Sequence, residues 1–358
     1  MARNDPIPGP IPGPIPVVVI ACDRSAYLRR ALASVTRHDD EAGRLVIVSQ
    51  DGTDADVAAV ARDLRSPSLH LIDRDRDRRH FPRRPDEPRA HHASRRRYAH
   101  IASHFKWTFD ELFGRLDLDQ VIVLEDDIEI ASDFFSYFRA CAPLLERDPT
   151  ILTVSAWNDN GRPPLVSDPA RLYRTDVFPG LGWLMTRSLW QEFGPVWPDA
   201  YWDDWLRHPE QRRGRATIRP EISRTYTFGE DGVSEGQSFH DYLKPMHLND
   251  TPVDFEAMDL RYLAQDRFDA WLHDAVSSAE PVDADVALSG GSDADQKLVY
   301  HREAGFDELA ARFGLMPGFQ IDAPRTAYNG VVWFRHGRRR LFLIPIDYML
   351  AHSKSSSD

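Results

Sequence analysis

The chain has 358 residues, 42% of them hydrophobic, with 9 Trp, 18 Phe and 11 Tyr, enough to bury a sizeable core. A formal charge of −12 argues against generic nucleic-acid binding, which wants a basic face, and no apolar run is long enough to span a membrane. Two cysteines, Cys22 and Cys141, are too few for a disulfide framework and read as reduced core residues.

Residues 1–14 are a Pro/Gly repeat without the apolar centre of a secretory signal, which reads as a stiff disordered tail on a cytoplasmic chain. Folding starts at Ile15. Val17 to Cys22 form a buried strand, followed by a helix over Ser25 to Thr36 with Leu28, Leu32 and Val35 on one face. Leu45 to Ser49 give a second strand ending at Gln50-Asp51-Gly52, Ala55 to Leu64 a second helix, and Leu69 to Ile72 a short third strand. This alternation predicts βαβ units in a doubly wound parallel sheet. Residues 73–97, dense in Arg, His and Pro, read as a loop whose charge is more simply a solvated face than a cover over an anionic ligand. Helical spacing returns over Tyr98 to Phe113. Beyond it lie a strand at Val121 to Leu124, an amphipathic helix over Phe134 to Leu145 and a strand at Ile151 to Ser155. From Leu172 onward the chain is rich in Gly, Pro and Trp, and residues 276–296 and the tail after Leu350 read as flexible.

The strand at Val121 to Leu124 ends in three carboxylates, Glu125, Asp126 and Asp127. Acids packed at a core strand's carboxyl end repel one another and lose solvation unless a positive charge compensates. Either they form an acidic turn with Asp133 as a helix cap, or they hold a hard divalent cation that carries a phosphorylated ligand. Ligands of open α/β sheets bind at this edge, where Asp23-Arg24 and Asp51 also fall. There Arg neutralises phosphate and Asp accepts from ribose or base. Neither the GxGxxG nor the P-loop pattern is present. A second acidic cluster, Tyr201-Trp202-Asp203-Asp204-Trp205, suits a general base in a partly apolar wall or, equally, a capped helix start with packed Trp residues.

Longer segments resemble a known family. VIACDRS (19–25), IVSQDG (47–52), VLEDDIEIASDFFSYF (123–138), VSAWNDNG (154–161), LYRTDVFPGLGW (172–183), residues 197–237 and PRTAYNGVVWF (324–334) are similar to the eukaryotic β-1,2-N-acetylglucosaminyltransferase I family. The resemblance runs from about Ile15 to Pro345. It implies an α/β GT-A glycosyltransferase fold: a tail at 1–14, a Rossmann-like nucleotide-sugar domain at 15–160, a catalytic and acceptor-side region at 161–348, and a tail at 349–358. It also implies an inverting transfer from UDP-N-acetylglucosamine with manganese, or another divalent cation, as cofactor. Asp127 matches the metal ligand, and Glu125 and Asp126 match contacts to ribose and donor sugar. Arg24, Asp51 and His104 match the nucleotide side, Leu181 a wall for the donor sugar, and Ser234 a closing-loop serine. Asp203 matches the catalytic base with Trp202 beside it, and Asp204 is the alternative base. Arg207, Glu210, Arg219, Glu221 and Arg224 are expected to form an ion-pair network around this second cluster.

The family's eukaryotic members carry a membrane anchor and stem, and this chain begins almost directly at strand one. Its Arg/Ala/Asp-rich composition fits a bacterial, cytoplasmic relative. The expected partners are a UDP-sugar donor and a glycan or glycoside acceptor, mannose-like or, for such a relative, a lipid-linked oligosaccharide or capsule precursor. Alternatives are another UDP-sugar donor and a non-catalytic glycan-binding protein.

Overall fold

Short runs of β-branched residues set the central sheet of the computed structural model, which describes residues 13–39, 41–64, 67–233, 236 and 238–352. In chain order the elements are β1 (Val17–Ala21), α1 (Ser25–His38), β2 (Val46–Asp51), α2 (Ala55–Arg62), β3 (Ser68–Asp73), α3 (Arg89–Phe109), β4 (Gln120–Glu125) and β5 (Ile128–Ile130). There follow α4 (Phe134–Arg147), β6 (Ile151–Val154), β7 (Leu172–Thr175), β8 (Trp183–Thr186), α5 (Arg187–Phe193), α6 (Trp202–Arg207), β9 (Ala216–Pro220) and β10 (Thr225–Thr227). The main sheet runs β3-β2-β1-β4-β8, parallel except for β8, which lies antiparallel on β4.

Both faces of this sheet are covered, which is why its strands read as continuous apolar runs rather than alternating ones. Val17, Val19, Val46, Val48, Ile122 and Leu124 point to one face, against Leu28 and Leu32 of α1 and Phe134 and Phe138 of α4. Val18, Ile47, Val121 and Val123 point to the other, against Ala102, Phe105 and Phe109 of α3. The register levels the strand ends: Ile20 pairs with Glu125, Ala21 with Gln50, and Asp51 with Asp73. One edge of the sheet therefore collects the acids that the sequence places after each strand.

A three-stranded sheet, β6-β9-β7, continues from the main one through the Ser155–Trp183 bridge. A C-terminal sheet of Glu280–Pro281, Gln296–Tyr300, Arg339–Pro345 and Val332–His336 closes a third core with Phe306 and Phe313. Among the described residues no helix is long and apolar enough to cross a membrane.

Four expectations need correction. Residues 89–97 are the first turns of α3, not loop. Most of 276–296 is built into elements: the end of a helix at Gln265–Ser278, a strand at Glu280–Pro281 and a helix at Ala284–Ser289. A helix at Ile346–His352 carries the chain past Leu350, while residues 1–12 and 353–358 lie outside the described residues. Finally, Asp133 makes no capping bond; it is buried and paired with Arg224 at 3.0 Å, and it also accepts from Asn249 at 3.0 Å.

Candidate active site

A cavity of about 860 Å³ opens over the carboxyl ends of β1, β2 and β4, lined by Asp23, Arg24, Asp51 and all three acids of the Glu125-Asp126-Asp127 run. Asp203 reaches it from α6, and His104 from α3. Open parallel sheets build ligand sites at this edge because the chain reverses direction around the sheet there, leaving a crevice between neighbouring loops.

The acidic run is short of positive charge. Burial, then the adjacent Asp127, pushes Glu125 up to about 8. Burial pushes Asp126 up to about 7 even though Arg24 touches it. Arg24 also sits 3.1 Å from Asp127 and donates to the Asp231 carbonyl at 2.7 Å, tying the acids to the segment that follows β10. Carboxylates crowded in this way are the donor set of a hard divalent cation, which accepts oxygen ligands and relieves their mutual repulsion. The backbone at Gly229 lies flat on Asp127, so close that a Cβ there would collide with its carboxylate.

A second set lies at the carboxyl ends of β2 and β3. Asp51, Asp73 and His104 bring ligand atoms within 4.8 Å of one another, a grouping also able to hold a metal ion. Here, though, Arg79 lies against Asp73 and 3.7 Å from Asp51, so a cation already serves these carboxylates. Three polar atoms remain buried without a hydrogen-bond partner: Asp51 Oδ1, Arg79 Nη1 and His100 Nδ1. Buried polar groups are nearly always satisfied, so these three atoms in the wall of one cavity are available to bond a polar ligand or water.

His104 is fully enclosed, with Nε2 at 3.1 Å from Ser49 Oγ. Burial holds its imidazole down at about 4. Below its ordinary 6.5 the unfolded chain takes up a proton that the folded chain refuses. Stability is therefore complete above pH 6.5 and should fall by roughly 3 kcal/mol as pH drops towards 4. Urea unfolding at pH 7 and near pH 4.5 tests this. His104→Gln should lose markedly less stability in acid than the parent chain, and an undiminished loss would refute the assignment.

Asp203 and Asp204 occupy the first turn of α6, and Arg207 bridges them at 3.0 and 2.8 Å. Only Asp203 lines the cavity. Trp202 is not in the cavity wall. It is buried behind it, stacked 5.8 Å from Trp183 and from Trp197 and 4.5 Å from Phe105, which does line the cavity. Leu181 does not line the cavity either; it packs on the core that holds Leu124 and Ile128, in a turn where Gly180, Leu181 and Gly182 all have positive φ (70°, 48° and 94°). A leucine there is strained, and such residues persist where the surroundings over-determine them. Ser234 lies outside the described residues. The expected ion-pair network does not form as one unit: Arg207 holds Asp203 and Asp204, Arg224 holds Asp133, and Glu221 lies 3.8 Å from Arg335. Cys141 is a buried core thiol as expected, whereas Cys22 lines the cavity against Arg76, its thiol pushed up to about 11 by burial.

The structure adds a wall that the sequence reading placed in solvent: Arg76, Arg79, Arg96 and Arg97 line the cavity, with His100 of the expected helix beside them. The signal was present in the four-residue spacing of Arg96, His100 and His104, which puts them on one face of α3.

Comparison with known proteins follows this geometry. The model of the GNT-I family matches residues 5–355. The alpha-1,3-mannosyl-glycoprotein 2-beta-N-acetylglucosaminyltransferase of Arabidopsis thaliana is 42% identical over 339 residues, covering 93% of this chain and 74% of that protein. Solved structures match distantly. Mouse xyloside xylosyltransferase 1 in its apo form has a TM-score of 0.32 at 12% identity, over 56% of this chain and 74% of that one. An active-site mutant of LgtC has a TM-score of 0.29 at 17% identity, over 55% and 64%.

Proposed function

The chain belongs to the GNT-I family, and from that membership we propose an inverting, metal-dependent transfer of N-acetylglucosamine from UDP-N-acetylglucosamine to a hydroxyl of a mannose-like sugar on a glycan or glycoside. The enzyme class, a glycosyltransferase of the acetylglucosaminyltransferase type, comes with the family. The observation that carries the reading is the meeting of the acidic run, the nucleoside-side polar atoms and Asp203 in one cavity.

The roles follow from what each group offers. Asp51 Oδ1 would accept the ring N–H of uracil, and Arg79 Nη1 and His100 would lie beside its carbonyls. His104, enclosed beneath, holds the Asp51 and Asp73 side in place. Glu125 and Asp126 would accept from ribose and sugar hydroxyls, with Arg24 countering phosphate charge. Leu181, in its strained turn, would wall the sugar ring, and Trp202 would brace α6 from behind. Asp127 would hold manganese, which when bound offsets charge developing on the departing diphosphate. Asp203 would take the acceptor's proton as its oxygen attacks the anomeric carbon, and a single base opposite the leaving group gives inversion.

The test is binding and hydrolysis across a panel of nucleotide-sugars, with manganese and with chelator. UDP-N-acetylglucosamine should be preferred, and chelator should abolish the signal. Preference for another UDP-sugar would reassign the donor, and the absence of any metal-dependent binding would favour the non-catalytic glycan-binding alternative.

A further inference from the structure

Helix α6, which carries Asp203 in its first turn, starts from a strained residue. Tyr201, at its N-cap, has φ 54° and ψ 49°, the left-handed region, and makes no side-chain capping bond. A bulky residue stays in that region only where its surroundings hold it. The helix is six residues long, too short for its own hydrogen bonds to fix its direction. Three contacts set it instead. At its C-terminal end, Arg207 Nε donates to the Phe178 carbonyl at 3.0 Å. In its first turn, Trp202 is buried among Phe105, Trp183 and Trp197. The third contact is the Tyr201 ring, which lies on Tyr98 of α3 with centroids 4.5 Å apart and planes tilted by 32°.

Helix α3 backs the whole of this segment. The Ala102 carbonyl accepts from Trp197 Nε1 at 2.9 Å, Phe105 packs on Trp202, and Tyr98 packs on Tyr201. The spacing of 98, 102 and 105 puts these contacts on one side of the helix. Ala102 and Phe105 are buried in the core, whereas Tyr98 is half-buried and lines the cavity together with Asp203. Burial, and after it the charge of Asp203, raises the Tyr98 phenol, as suits two side chains facing one space.

We propose that Tyr98 is a positioning residue: its ring holds Tyr201 in the left-handed turn and so sets where Asp203 enters the cavity. The proposal rests on Asp203 as the base of the transfer proposed above. Without the Tyr98 ring, α6 stays anchored at Trp202 and Arg207, but Tyr201 is free to relax. The base then shifts, while Asp51 and the Glu125-Asp126-Asp127 run keep their places. Transfer depends steeply on the geometry of the base, whereas donor binding rests on the residues at the strand ends.

The experiment is steady-state kinetics on the full chain with UDP-N-acetylglucosamine, manganese and a small mannoside acceptor. Tyr98→Ala should lower kcat about tenfold or more, with the donor KM within a few-fold of the parent's. Tyr98→Phe keeps the ring and should retain at least half of the parent's rate. Tyr201→Gly separates positioning from folding, because glycine takes a positive φ without strain. It should unfold within a few degrees of the parent and yet be as slow as Tyr98→Ala. A parent-like kcat in Tyr98→Ala or Tyr201→Gly, or a Tyr98→Phe as slow as Tyr98→Ala, would each overturn the proposal. Asp203→Asn tells the two failures apart. If it kept the parent's rate, the base assignment itself would fall and the proposal with it. If it is slow while Tyr98→Ala is not, only the positioning role is lost.

Discussion

Replacing Asp203 with Asn is expected to lower the transfer rate about 10²–10⁴-fold, the range a positioned general base contributes, while the donor KM stays within a few-fold. Asp204→Asn should cost less than about threefold on the same scale. The two acids are sequence neighbours sharing one partner, so their separation rests on geometry. Arg207 holds Asp203 through Oδ2 and Asp204 through Oδ1, and its own Nε is fixed on the Phe178 carbonyl at 3.0 Å. That leaves Asp203 Oδ1 without a protein partner among the described residues, on a side chain that lines the cavity and is 41% exposed. Asp204 is 53% exposed and does not line the cavity. Of the two acids, only Asp203 is placed to meet a hydroxyl that enters the cavity. Steady-state kinetics with saturating acceptor decide the matter, and a larger loss in Asp204→Asn than in Asp203→Asn would exchange the two roles.

What the sequence made legible follows from what hydrophobic periodicity records. The strands were readable because both faces of the sheet are buried, so Val17–Ala21 and Gln120–Glu125 are apolar almost throughout and their terminal acids stand out. Helix α3 shows the reverse. Its buried residues, Ala99, Ala102, His104, Phe105, Thr108 and Phe109, all lie in its C-terminal half, over the core. The N-terminal half covers a polar cavity and has no apolar stripe, so its arginines were read as a solvated loop. The cap offered for Asp133, one of two alternatives, fails for a related reason. A carboxylate just before an apolar run has the pattern of a cap, and only the fold shows that Arg224 and Asn249, distant in sequence, converge on it. For Trp202 the WDD motif gave proximity to the site but not direction, and the ring turned inward to join Phe105, Trp183 and Trp197.

Asp127→Ala should remove metal-dependent donor binding and depress transfer by about 10³-fold or more, since the charge on the departing diphosphate would then go uncompensated. The argument turns on what shares the carboxylate. Arg24 lies 3.1 Å from Asp127 and is bonded to Asp126, so one guanidinium serves two acids while Glu125 is pushed up to about 8. A divalent cation ligated by Asp127 would free Arg24 for phosphate and lower the repulsion that all three acids feel. Gly229 gives an independent handle on the same atom. Because a side chain at 229 would collide with the Asp127 carboxylate, Gly229→Ala should displace it and raise the manganese concentration needed for half-maximal rate, without touching Asp51. Manganese titrations of UDP-sugar binding, followed by calorimetry, separate these cases. Asp127→Ala should lose the metal-dependent component entirely, and Gly229→Ala should shift it to higher concentration. If both variants kept the parent's manganese dependence, the metal would belong elsewhere, and the Asp51, Asp73 and His104 set would be the next to test.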